Sequence, residues 1–113
     1  MTPLEIAKTA VKALDEKKAK DIQAIHVTKV TVLADYFIIA GATSNTQAKA
    51  LVDEVEFQLE QKGLRPRGIE GYAEASWIVL DYGSVVIHVF YGETREFYSL
   101  ERLWADGEPI DLI

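Results

Sequence analysis

The side chains best suited to chemistry are two histidines, His26 and His88, the scattered acids Asp35, Asp53, Glu54, Glu70 and Asp81, and a loop of small residues, "AGATSN", Ala40 to Asn45. Strand, small residues and helix in that order can cradle a phosphate, because a helix start offers unsatisfied N–H donors and partial positive charge. The loop lacks both G-x-x-x-x-G-K-[ST] and G-x-G-x-x-G, and it holds no lysine to neutralise a phosphate. A strand-to-helix turn with a good cap accounts for it better than a nucleotide site does. Nucleotidyl transfer would also require paired carboxylates that hold a divalent metal against a triphosphate. No Asp-x-Asp follows Gly41, and Asp53 and Glu54, adjacent in a helical stretch, point in different directions.

Histidine and serine chemistry is equally poorly provided for. His88 sits among Val86, Ile87, Val89 and Phe90, which reads as a packed histidine with one local hydrogen bond rather than a catalytic base. No G-x-S-x-G elbow surrounds Ser44, Ser76, Ser84 or Ser99. With no cysteine there is neither a disulfide framework nor a thiolate metal site. The expectation is no catalytic, cofactor-binding or metal residue, with a metal-dependent, nucleotide-binding nucleotidyltransferase as the rival.

The elements that would position a site follow from local signals. Thr2, Pro3 and Glu5 form a helix start with a capping box, and Ile6, Ala10, Ala13 and Leu14 share one face of a helix expected to reach about Glu16. Ile22 to Thr28 reads as a strand. So does Tyr36 to Ala42, whose near-continuous apolar run calls for cover on both faces. Ser44 with Gln47 predicts a second cap; Ala48, Leu51, Val52, Val55 and Leu59 then recur at helical spacing until Gly63. A short extended piece is expected around Gly68 to Gly71. Trp77 to Leu80 and Val85 to Phe90 form a hairpin around the turn residues Asp81, Tyr82, Gly83 and Ser84. From Gly92, "GETREFYSLERLW" returns to helix-compatible residues, and the segment from about 105 reads as a loosely docked tail. The order predicts one domain over 1–113: an α/β layered sandwich with a mixed β-sheet and helices on both faces.

Composition narrows the function classes. The chain has 113 residues, 49% hydrophobic and 27% charged, which suits one folded core. Its formal charge of -6 would repel a bare phosphate backbone and attract a basic protein. No apolar run reaches the ~18 residues of a membrane span, and the start lacks the layout of a secretory signal, so the expectation is a cytoplasmic protein. Trp77, Tyr82, Tyr91, Phe97, Tyr98 and Trp104 concentrate in the last third, and such residues anchor protein interfaces.

"DYFIIAGATSN", "GIEGYAEASWIVLDYGSVVIHVF" and "REFYSLERLW", in this order and spacing, resemble the ribosomal silencing factor family, also called Iojap or RsfS. The similarity runs from about Ile6 to Trp104, with Ala42 where the family often has glycine. It implies a nucleotidyltransferase-like fold without the catalytic acids. The implied role is binding to the large ribosomal subunit through its fourteenth protein, on the face that the small subunit must meet. Joining is then blocked sterically and translation is repressed when nutrients are scarce, with a homodimer as the free form. The contact surface expected on this resemblance comprises Trp77, Asp81 and Tyr82 from the hairpin with Tyr98, Leu100, Leu103 and Trp104 from "FYSLERLW".

Overall fold

The computed structural model describes residues 1–28, 31–92 and 107–112. Helix α1, Pro3–Glu16, starts at the predicted cap: the Thr2 hydroxyl accepts from the Glu5 N–H at 3.1 Å, and proline occupies the first turn, where its missing N–H costs nothing. After β1, Lys20–His26, and β2, Tyr36–Ala42, comes helix α2, Asn45–Gln61, capped by Ser44. Three strands follow: β3, Gly68–Glu70; β4, Trp77–Asp81; and β5, Val85–Tyr91. The last is β6, Glu108–Ile110.

These strands form one six-stranded mixed sheet in the order β3-β4-β5-β2-β1-β6. Its centre is the parallel pair β2 and β5, in register from Tyr36 opposite Val85 to Ala42 opposite Tyr91. Parallel pairing follows from the crossover, since the chain leaves β2, passes through α2 and two further strands, and re-enters beside β2 in the same direction. The described neighbours on either side pair antiparallel.

Alternation along the strands sorts the side chains into two layers. Ile38 and Ala40 of β2, Ile78 and Leu80 of β4, and Ile87 and Val89 of β5 are buried with the apolar stripes of α1 and α2. Ile6, Ala10, Ala13 and Leu14 of α1 and Ala48, Leu51, Val52, Val55 and Leu59 of α2 are all in this layer, as their spacing predicted. The opposite layer is built from Ile25, Ile39 and Phe90, packed with Val27, Ala34, Phe37, Trp77 and Val86.

One sequence expectation gives way here. The tail expected from about 105 to dock loosely instead supplies β6, paired with β1 from Ala24 opposite Ile110 to His26 opposite Glu108. Pro109 does not prevent this, because β6 is an edge strand and a proline there removes no donor that a further strand needs. Both described helices, α1 and α2, lie on one face of the sheet. The helix expected from Gly92 falls mostly outside the described residues.

Candidate partner-binding site

The hairpin of β4 and β5 carries the described part of the expected surface. Trp77, Val79 and Asp81 alternate onto the layer opposite α1 and α2, while Ile78, Leu80 and then Tyr82 turn toward the helices. Trp77 and Asp81 are therefore brought to one face, and Tyr82 is not. Tyr82 is only 6% exposed and belongs to the helix-side core. Its expected place in the contact surface is corrected on this ground: adjacent residues on an extended chain face opposite ways. Its hydroxyl has no hydrogen-bond partner among the described residues, and burial, then the charges of Glu56 and Glu60, push its pKa upward. Tyr98, Leu100, Leu103 and Trp104 lie outside the described residues.

Around Trp77 the rings form a stack. Its indole lies nearly parallel to Phe90, with centroids 5.4 Å apart at 17°, and to His88, 5.9 Å apart at 25°. Phe37 of the neighbouring β2 meets His88 at 5.1 Å. The register explains the cluster, because Trp77 stands opposite Phe90 and Ile39 stands beside His88 across the parallel pair. Trp77 Nε1–H donates to His88 Nδ1 at 3.1 Å, while Nε2 of the same ring is buried without a partner among the described residues. Desolvation alone lowers the His88 pKa from the ordinary 6.5 to about 4, so the ring is neutral at physiological pH. The packed histidine expected from sequence is present, yet its hydrogen bond crosses the hairpin from a residue eleven positions away.

Asp81, half-buried, has a structural task. Its Oδ1 accepts from the Gly83 N–H at 2.7 Å and so shapes the hairpin turn, where Gly83 adopts φ 80°. The same carboxylate borders a recess of about 410 Å³ with Leu33, Phe37, Arg67 and Val86. A second glycine sets the approach to Trp77. Gly71 has φ +77°, and a Cβ there would lie 2.1 Å from the Trp77 carbonyl oxygen, so the β3–β4 connection passes too close for any side chain.

At the other candidate site, the loop after β2, several donors are already committed. Ser44 Oγ accepts from Gln47 N–H at 3.0 Å, and Gln47 Oε1 accepts from both the amide and the hydroxyl of Thr43. Asn45 donates to the Glu74 carbonyl at 2.8 Å, tying the loop to the β3–β4 connection. This is a capping arrangement in which glutamine reaches one residue further back than a simple capping box requires. Among the described residues no three His, Cys, Asp or Glu side chains lie together as a metal set would need. Likewise, no described helix is long and apolar enough to cross a membrane.

Sequence reasoning missed Phe37 and the partnership of His88 with Trp77. The partnership follows from strand alternation once β4 and β5 are registered, since residues 77, 88 and 90 then share a face, and Phe37 joins them through the parallel register of β2 on β5.

Comparison with known proteins completes the description. A family model described as "Ribosomal silencing factor during starvation" matches residues 1–113. A protein of Bacillus subtilis (strain 168), "Ribosomal silencing factor RsfS", is 38% identical over 112 residues, covering 99% of this chain and 95% of its own. A mouse relative, "Mitochondrial assembly of ribosomal large subunit protein 1", is 36% identical over 98 residues, covering 84% of this chain and 43% of its own. A crystal structure of a Chromobacterium violaceum protein superposes with a TM-score of 0.89 at 36% identity, covering 100% of this chain and 94% of that one.

Proposed function

The chain belongs to the ribosomal silencing factor (RsfS) family, and from that premise we propose that it binds the large ribosomal subunit through its fourteenth protein and blocks joining with the small subunit. The observation that carries this reading is the family match along the whole chain. The mouse relative's name, which refers to large-subunit assembly, supports the same partner. In this account translation falls under nutrient limitation because occupied large subunits cannot pair, and the protein acts in the cytoplasm without catalysing a reaction.

The proposed contact surface is the ring-bearing face of the hairpin. Trp77 offers a flat apolar anchor and Asp81 a carboxylate on the same face, with Tyr98, Leu100, Leu103 and Trp104 adding to it from the segment that follows. Tyr82 is left to the core. A net charge of -6 favours approach to a basic ribosomal protein and disfavours bare RNA, which makes the docking protein-mediated. Steric blocking requires an interface near the usual ~800 Å² per partner with a few anchors at its centre. The free chain forms a homodimer in this reading.

Sedimentation of cell extract through a density gradient tests the reading. The protein should travel with free large subunits and be absent from joined ribosomes, and Trp77→Ala should leave it at the top. Wild-type protein that stays at the top would contradict the proposed partner.

A further inference from the structure

The neutral imidazole beneath Trp77 is expensive to keep. His88 is 7% exposed, and one of its two nitrogens is buried with no partner among the described residues, which a phenylalanine or leucine in the same place would avoid. What a hydrocarbon side chain could not supply is an acceptor for the indole. Indole N–H can only donate, so Nδ1 must carry the lone pair and the ring proton must reside on Nε2. Burial keeps Nδ1 unprotonated at physiological pH, and the rings that face it, Phe37, Trp77 and Phe90, carry no charge.

We propose that His88 is a positioning residue for partner binding: by accepting the Trp77 N–H it fixes the indole edge to edge with His88 and beside Phe90, in the one orientation that the ribosomal partner meets. This rests on the reading above that Trp77 is a contact residue. The mechanism is preorganisation. A half-buried indole has two side-chain torsions to settle, and contact between rings carries little direction, whereas a directed hydrogen bond favours one pose before the partner arrives. Binding then loses less side-chain freedom, and the benefit appears in affinity rather than in the fold.

The test is binding of purified variants to large subunits, with the indole N–H proton resonance of Trp77 recorded alongside. His88→Phe keeps a ring in the stack and removes the acceptor; it should fold, shift the Trp77 resonance and weaken binding about 10-fold, roughly one hydrogen bond's worth. His88→Asn, whose carbonyl can occupy the place of Nδ1, should recover most of the affinity. In a Trp77→Phe background, His88→Phe should cost nothing further. Should His88→Phe not fold, His88→Leu makes the same comparison.

Wild-type affinity in a folded His88→Phe or His88→Leu protein, alongside weakened Trp77→Ala, would overturn the positioning role and leave the contact surface standing. An additive loss in the Trp77→Phe background would overturn it too, since His88 would then act other than through the indole. If Trp77→Ala itself bound normally, the contact surface and the positioning role would fall together.

Discussion

The two faces of this sheet are built from different materials. Toward α1 and α2 the strands present Ile38, Ala40, Ile78, Leu80, Ile87 and Val89, aliphatic side chains that interlock with helix stripes of alanine, valine and leucine. On the other face Phe37, Trp77, His88 and Phe90 lie ring to ring, held by a hydrogen bond as well as by contact. Aliphatic packing is dense and nearly directionless, so it closes a core. Stacked rings keep flat surfaces and directed polar atoms, so they can both pack and present. Among the described residues each face also strands one buried side-chain polar atom, the Tyr82 hydroxyl on the helix side and His88 Nε2 on the ring side. Only the second belongs to a ring that does something for its neighbour.

Truncation separates the faces most strongly. Leu51→Ala, in the fully buried helix layer, should cost about 3 kcal/mol of stability in urea unfolding, through lost transfer energy and the cavity left behind. Binding should persist wherever the variant remains folded. A loss below about 1 kcal/mol would mean that the helix layer is looser than its packing indicates.

Acid acts on the ring face. The His88 pKa is depressed in the folded state from 6.5 to about 4, so the unfolded chain takes up a proton that the folded chain refuses. The contribution is fully present above pH 6.5 and is lost as the pH falls toward 4, a penalty of roughly 3 kcal/mol. Unfolding measured across that window should therefore show a steeper loss in the wild type than in His88→Phe. Parallel profiles would show that His88 is not held neutral.

Next in size, Trp77→Ala should weaken large-subunit binding by about 2 kcal/mol, near 30-fold, while lowering stability less than Leu51→Ala does. Equal losses in both properties would erase the division of labour between the faces. Smallest of all, Tyr82→Phe removes a hydroxyl that has no partner among the described residues, so stability should hold or rise by up to about 1 kcal/mol and binding should not change. A binding defect in this variant would return Tyr82 to the contact surface.

What was legible in the sequence was local. Thr2 and Ser44 announced their helices because a cap acts within three residues, and the hairpin was marked by its turn chemistry around Gly83. The helix stripes were legible because one face of a helix is a spacing rule. Pairings between distant segments were not. Glu108–Ile110 is short, contains a proline, and becomes a strand only because β1 offers it an edge. Asp81 and Tyr82, neighbours in the chain, were grouped as turn residues although strand alternation sends them to opposite layers. The Trp77–His88 bond required the register of β4 on β5, which residue types alone do not specify.

The central claim is that this chain acts by occupying a surface of the large subunit. Light scattering of purified large and small subunits mixed with saturating protein measures it directly. The account predicts that joining is suppressed by the wild-type protein and restored when Trp77→Ala replaces it. Joining at normal speed and extent, with the wild-type protein saturating, would contradict it.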